Sequence, residues 1–276
     1  AELELNIGTS TVSRHLKDLE TRLGLRLCRR GRAGFALTLE GQRVYDETLR
    51  LLAGVDAFRS SIDDIHHRMG GQLDVAVFDK TASNPQAHID SAIALFADRA
   101  PEVALNLHVG GMPAIERGLM DGRFQVGILP THRSSQSLVY ETLFGEDMRL
   151  YAGASHPLFA ADHAALDWDA LRAWPFAGLG YHSPNMELGH RERLPRKATG
   201  FDQESIATLI LSGRYLGFLP DHYAEAFERR GHMRAIRPEL FFYCCEFVSV
   251  LRRSPQPARA AQAFAQCLRE AHGAPS

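Results

Sequence analysis

Residues 8–40 read GTSTVSRHLKDLETRLGLRLCRRGRAGFALTLE, and this stretch decides the fold of the first part of the chain. Apolar residues recur in it at helical spacing and form one face: Val12, Leu16, Leu19 and Leu23. The opposite face is polar and contains Thr9, Ser10, Ser13, Arg14 and Lys17. Gly8 and Gly24 stand where a helix would begin and end. Short hydroxyls beside an arginine suit base edges in a DNA groove, and the alternative is an ordinary amphipathic surface helix.

The segment after this helix is basic. Five arginines fall within eleven residues that contain no acid: Arg22, Arg26, Arg29, Arg30 and Arg32. The turn 31–34 lies between two short apolar runs, Leu25–Cys28 and Phe35–Thr38, which predict a hairpin. A helix, a basic hairpin and a second helix indicate a winged helix-turn-helix, with Arg30 and Arg32 on DNA phosphates. A solvated basic face is the competing interpretation.

Several short motifs in this region resemble the DNA-binding signature of LysR-type transcriptional regulators: Leu5–Gly8, Thr11–Arg14, Leu19-Glu20, Leu23–Leu27 and Leu37-Thr38 followed by Gly41. The sequence departs from the family at Gly8, where a serine is usual, and at Cys28, where a phenylalanine is usual. Ala1 is not a start methionine, so we expect the chain to open inside the second helix of the motif, with the front missing.

Composition restricts the class of protein. The 276 residues carry a formal net charge of −2, so the basic character is local to the motif. No apolar run is long enough to cross a bilayer, so we expect neither a signal peptide nor a membrane partner. The four cysteines lack metal-ligand spacing, which predicts reduced thiols, a cytoplasmic location, and neither metal nor cofactor.

Residues 38–69 predict one long helix. Apolar or hydroxyl residues alternate at spacings of four and three along it: Val44, Thr48, Leu51, Val55, Phe58, Ile62, Ile65 and Met69. This heptad seam predicts a partner helix, although packing on its own domain is an alternative. Thr38 is expected to cap its start. In the resembled family this is the linker helix, so we expect a homodimer or homotetramer bound to double-stranded DNA.

From Gln72 onward, strands alternate with helices, which predicts an α/β fold with a parallel sheet. It resembles the effector domain of the same family, in which two subdomains share the fold of periplasmic solute-binding proteins. The expected limits are 1–38 for the incomplete winged helix-turn-helix, 39–69 for the linker, 70–137 plus 244–276 for subdomain I, and 138–243 for subdomain II. Residues 134–138 and 237–243 are the expected crossings between the subdomains.

A ligand in an open α/β sheet lies beyond the carboxyl ends of the strands. We therefore expect a small anionic effector at the loops that follow the predicted strands, with Gly110, Gly111 and Pro130 among its contacts. Thr81, Ser83 and a helix starting near Pro85 would hold its carboxylate, and Lys80 and Arg133 would add charge unless they are solvated. Tyr181, Phe201 and Phe218 would wall the site unless they are core residues.

Two other classes remain open. An α/β enzyme is disfavoured because no nucleophile elbow, phosphate loop or dinucleotide fingerprint is present, and the histidines show neither metal spacing nor a paired acid. A solute-binding protein would fit residues 72–276 but would leave residues 1–69 unexplained. We therefore predict a non-enzymatic, effector-controlled regulator, with the effector, the operator and the sign of regulation unspecified.

Overall fold

The structure is a computed structural model that describes residues 8–31, 34–65 and 69–273. Contacts between residues divide the chain into two compact units, one ending at Ala57 and one beginning at Phe58. Among the described residues, none of the helices combines the length and the apolar character that a membrane crossing requires.

The first unit begins with helix α1, Thr9–Leu23. Gly8 precedes it in extended conformation, and Gly24 ends it with a φ of 65°, a left-handed conformation that favours glycine. Strands β1, Cys28–Gly31, and β2, Gly34–Leu37, then pair antiparallel. The predicted helix and hairpin are therefore confirmed.

The first strand of the hairpin lies later in the chain than predicted. The segment expected to be its first run, Leu25–Cys28, mostly connects α1 to the hairpin. The reason is Glu20, whose Oε1 accepts hydrogen bonds from the amides of Leu27 (2.7 Å) and Cys28 (3.2 Å). These bonds hold the pKa of Glu20 below its usual value. The first of them also satisfies the amide of Leu27, the residue directly before β1, which a longer strand would have used in pairing.

Helix α2, Leu39–Ile65, follows the hairpin. Thr38 caps its start as predicted, because its Oγ1 accepts from the Gly41 amide at 2.9 Å and donates to the Arg26 carbonyl at 2.6 Å. A Cβ at Gly41 would lie 1.8 Å from the Leu27 carbonyl oxygen, so this close approach of two backbone segments requires glycine. Residues 66–68, within the predicted end of the helix, lie outside the described residues, and Met69 is not helical.

The second unit is α/β. Its elements in order are β3 Gly71–Phe78, α3 Ile89–Arg99, β4 Val103–Gly110, α4 Met112–Asp121, β5 Val126–Pro130, β6 Leu138–Gly153, α5 Trp168–Leu171, β7 Phe176–Leu179, α6 Pro184–Arg191, β8 Arg196–Gly200, α7 Gln203–Leu211, β9 Leu216–Pro220, α8 Asp221–Arg229, β10 Met233–Ala235, β11 Phe242–Arg252 and α9 Arg259–Ala271. The helix expected near Pro85 begins instead at Ile89, after a 3-10 turn at Thr81–Ser83.

One continuous sheet of the second unit has the strand order β4-β3-β5-β11-β6-β9-β7-β8, with β10 paired to β6. Strands β4, β3 and β5 are parallel to one another, as are β9, β7 and β8. Strands β6 and β11 pair antiparallel between these two groups. We call β3–β5 with α3, α4 and α9 lobe 1, and β7–β9 with α6–α8 lobe 2.

The chain crosses between the lobes inside two long strands, β6 and β11, which begin at the carboxyl-terminal ends of the expected crossing segments 134–138 and 237–243. The crossing is continuous because the two strands pair with each other along almost the whole length of β11. The final helix returns to lobe 1, where Phe264 meets Phe96 of α3 with ring centroids 5.3 Å apart. The expected numerical limits of the subdomains stay a prediction.

Candidate functional site

The polar face predicted on α1 is accessible. Helix α1 buries none of its residues. Four of the predicted DNA-contacting residues, Thr9, Ser10, Arg14 and Lys17, are exposed, and Ser13 is half-buried. Their spacing places them on one side of the helix. Arg30 pairs with Phe35 in the hairpin backbone, but its side chain is not described, and Arg32 lies outside the described residues.

A second candidate site lies in the second unit, where loops of the two lobes meet at the carboxyl ends of the strands. We call it the cleft, formed by residues 79–84, 110–112 and 130–133 of lobe 1 and by residues 181–183, 201–204 and 222–223 of lobe 2. Oδ2 of Asp79 accepts from the backbone amide of Gln203 at 2.7 Å. The ammonium of Lys80 forms an ion pair with Glu204 and lies 4.9 Å from the Tyr223 ring centroid. The fold therefore joins the two groups of loops that the sequence singled out.

A hydrogen-bonded chain of side chains crosses the cleft. Nδ1 of His222 lies 2.9 Å from the Ser83 hydroxyl, and Nε2 of His222 lies 2.9 Å from Oε2 of Glu146. The Ser83 hydroxyl also lies 3.0 Å from the Lys80 carbonyl oxygen, so it has two neighbouring hydrogen-bond partners. Burial raises the pKa of Glu146, opposed by its hydrogen bond to His222. The chain of contacts runs from Ser83 in lobe 1 through His222 in lobe 2 to Glu146 in β6.

Three buried polar atoms of the cleft have no hydrogen-bond partner among the described residues: Asp79 Oδ1, Gln203 Oε1 and the Tyr181 hydroxyl. Burial raises the pKa of Asp79 to about 6, opposed by the Gln203 amide and assisted by Asp202. Burial also raises the pKa of Tyr181, with Asp79 as the next contributor. Gln203 Oε1, and Asp79 Oδ1 while Asp79 is ionised, can only accept, so these two atoms require a hydrogen-bond donor, whereas the Tyr181 hydroxyl can donate or accept.

The predicted effector contacts differ in how exposed they are and in the partners that their side chains already have. Thr81 is 1% exposed and its hydroxyl donates to the Phe78 carbonyl at 2.6 Å. Because α3 begins at Ile89, no helix at Pro85 offers free amides beside it. Arg133 is exposed and pairs with Glu116 at 3.2 Å. The carboxylate cradle expected from the sequence is thus not assembled.

The remaining predicted contacts divide between core and surface. Phe218 is 1% exposed and packs against Phe176 and Tyr243, so it is a core residue and not a wall of the cleft. Phe201 is 67% exposed, and its carbonyl oxygen would lie 3.4 Å from a Cβ at Gly111. The last three positions are Tyr181, which is half-buried, Gly110, which ends β4, and Pro130, which is buried at the end of β5.

The histidines show why sequence spacing alone missed several cleft residues. His156 and His163 are buried, and His222 has the paired acid that the sequence did not reveal. His132, His182 and Glu187 also converge, with one ligand atom from each lying within 4.8 Å of the others. Their separations along the chain reach 55 residues, so no local motif could have found them.

Two family models match this sequence. The model described as "LysR substrate binding domain" covers residues 66–273, and "Bacterial regulatory helix-turn-helix protein, lysR family" covers residues 1–42. The HTH-type transcriptional activator BauR of Pseudomonas aeruginosa is 34% identical over 97% of this chain and 88% of its own length. The probable regulator LrrA of Synechococcus elongatus is 30% identical over 66% of this chain and 59% of its own length.

Solved structures show the same fold. The LysR family regulator CbnR matches with a TM-score of 0.65 and 17% identity, covering 98% of this chain and 92% of that chain. Full-length CbnR complexed with target DNA has a TM-score of 0.63, 18% identity and the same coverage. A helix-turn-helix joined to a two-lobed α/β domain defines a DNA-binding regulator that carries its own effector-binding domain. The chain belongs to the LysR family of bacterial transcriptional regulators.

Proposed function

We propose that the effector of this regulator binds in the cleft and donates hydrogen bonds to Asp79 Oδ1, Gln203 Oε1 and the Tyr181 hydroxyl. The observation that carries the proposal is the group of buried polar atoms without partners. Leaving such a group unsatisfied costs about 1–3 kcal/mol, so a ligand that supplies donors recovers that free energy on binding.

The charge of the effector follows from the same contacts. The anion expected from the sequence has weak support, because the ammonium of Lys80 is paired with Glu204 and the Thr81 hydroxyl donates to a backbone carbonyl. Asp79 favours a donor instead, and an ammonium or amidinium group gives the strongest hydrogen bond to a carboxylate. We therefore propose that a donor group is essential, with a carboxylate as an optional second feature.

Regulation would follow from the position of the cleft between the lobes. A ligand shifts a conformational equilibrium only if it binds one arrangement better than the other. Asp79 and Ser83 on lobe 1 already contact Gln203 and His222 on lobe 2, so a ligand inserted among them changes what joins the lobes. We propose that this change is transmitted to paired DNA-binding units.

The experiment is a thermal-shift and calorimetric screen with small ligands in four matched groups: amines, carboxylates, molecules with both groups and molecules with neither. We expect hits only among ligands with a donor group, and we expect Gln203→Ala to weaken them by about tenfold or more, which corresponds to one hydrogen bond to a charged partner. Thr208→Ala, on the same helix, is the control. An effector that lacks any donor would contradict the proposed chemistry and leave the regulator assignment intact.

For DNA, we propose that α1 is the recognition helix and that the hairpin contacts phosphates. Arg14→Ala is expected to cost about 1–3 kcal/mol on the specific site, because a base-contacting arginine carries sequence information. Arg32→Ala is expected to weaken specific and random duplexes alike and to reduce the salt dependence. Salt titrations on a duplex selected by the wild-type protein and on a random duplex separate these roles. Unchanged specific affinity for Arg14→Ala would show that another element reads the bases.

We further propose that the protein is a homodimer or homotetramer joined through α2, that it acts in the cytoplasm, and that it catalyses no reaction. Apolar side chains on α2 support the first point, since Leu51 and Phe58 are 68% and 65% exposed in the single chain. The cysteines support the second, because all four are free thiols and the compartment is then a reducing one. The similarity to transcriptional regulators supports the third.

A further inference from the structure

We propose that His132, His182 and Glu187 form a binding site for a divalent transition-metal ion, with Zn²⁺ as the reference ion, that joins lobe 1 to lobe 2. This site shares the loops 130–133 and 181–183 of the cleft, but it uses none of the three side chains to which the effector is proposed to donate. It therefore stands or falls independently of the proposed effector chemistry.

The three residues come from two loops and one helix that the fold brings together. His132 follows β5 in lobe 1, while His182 follows β7 and Glu187 lies in the first turn of α6 in lobe 2. Nδ1 of His182 contacts Nε2 of His132, and the two ring centroids are 4.2 Å apart. Oε1 of Glu187 lies 3.8 Å from Nδ1 of His132 and 3.9 Å from Nδ1 of His182.

The buried histidine points to a missing partner at this position. The His132 side chain is only 3% exposed, and its Nδ1 has no hydrogen-bond partner among the described residues. The carboxylate of Glu187 is close but beyond hydrogen-bond distance. A cation between the three residues would accept lone pairs from both imidazoles and from the carboxylate.

The donor set determines the kind of ion. Two imidazoles and a carboxylate are a common ligand set for Zn²⁺ and related ions, and a water molecule can complete the coordination. A histidine binds a metal through a ring nitrogen that carries no proton, and Nδ1 of His132 has no hydrogen-bond partner among the described residues. Mg²⁺ and Ca²⁺ prefer sites made of oxygen ligands, so this site selects against them.

A metal ion bound by these three residues would hold the two lobes together. Its ligands come from both lobes, so the ion binds only the arrangement in which the β5 loop and α6 are close. Ions that bind one arrangement shift the population toward it. Metal availability would then alter how the regulator responds, in addition to its effector.

The alternative is a hydrogen-bonded trio without metal, in which Glu187 turns to accept from one imidazole. Calorimetry on the chelator-treated full chain distinguishes the two, with Zn²⁺ and then Mg²⁺ as titrants. We expect saturable binding of one Zn²⁺ per chain and none of Mg²⁺. We also expect Co²⁺ to give the intense visible absorption of a tetrahedral site with nitrogen and oxygen ligands.

The ligand variants His182→Ala and Glu187→Gln suit the test, because both side chains are about 60% exposed and their replacement leaves the core unchanged. We expect each to weaken Zn²⁺ by at least about tenfold, since even outer partners of metal ligands contribute about 10- to 100-fold. His190→Ala, on the same helix, and Cys244→Ser, which removes the exposed thiol, are expected to bind like wild type. Absence of wild-type binding, or ligand variants with wild-type affinity, would overturn the proposal.

Discussion

Replacing Asp79 with asparagine is expected to raise the free energy of unfolding of the second unit at pH 7 by up to about 3 kcal/mol and to abolish the response to the effector. Asp79 is 8% exposed and burial raises its pKa from 3.8 to about 6. Each pKa unit corresponds to about 1.4 kcal/mol. The rise from 3.8 to about 6 therefore makes ionisation of this carboxyl about 3 kcal/mol less favourable in the folded protein than in the unfolded chain. Asparagine retains an oxygen for the Gln203 amide and removes the buried charge.

The sign of the pH dependence follows from the raised pKa. Between pH 4 and about 6, the folded protein binds a proton at Asp79 that the unfolded chain releases. The contribution of Asp79 to stability is therefore fully present below pH 4 and is lost as the pH rises through about 6. Asp79→Asn should match wild type at pH 4 and exceed it at pH 7.

Urea unfolding followed by tryptophan fluorescence measures this difference, because both tryptophans, Trp168 and Trp174, lie in the second unit. Asp98→Asn, an exposed acid on α3, is the matched control and is expected to change neither value. If Asp79→Asn destabilises the protein at pH 7, the carboxylate has a stabilising partner in solution. Asp79 Oδ1 would then not require a hydrogen-bond donor from the effector. A stabilised variant that still binds the effector would show that Asp79 is not part of the effector site.

The second large effect concerns assembly. Replacing Val55 and Ile62 with aspartate is expected to dissociate the oligomer into chains that remain folded. Both positions are about 40% exposed in the single chain and lie on the heptad seam, so the charges cost little until a partner helix buries them. Burying unpaired carboxylates in such a seam costs several kcal/mol. We expect this cost to exceed the free energy of association that one pair of helices provides.

Light scattering on the double variant gives the mass, and circular dichroism confirms that the chains are folded. Arg43→Asp with Gly54→Asp is the control, because it adds two acids at exposed positions of α2 that lie outside the seam. We expect the control to keep the wild-type mass. A double variant with unchanged mass would assign the association to the second unit.

The winged helix-turn-helix could be predicted from local sequence because its signals are local. The helix period of Val12 to Leu23, the glycines at its ends and the Thr38 cap act within a few residues of one another, and each is found where predicted. The hairpin strand was displaced because Glu20, seven residues away, takes the Leu27 amide. The alternation of strands and helices likewise predicted the α/β class.

The cleft required the tertiary structure. Thr81, Ser83 and Phe218 were selected because of their residue types and their positions near strand ends. Only the packing of the folded chain decides that the Thr81 hydroxyl donates to the nearby Phe78 carbonyl and that Phe218 lies in the core. The partners that matter are far apart in sequence: Asp79 and Gln203 are separated by 124 residues, and His222 and Glu146 by 76. Sequence periodicity determines which face of each element is apolar, whereas the pKa of a buried acid depends on atoms that only the folded chain brings within a few ångströms.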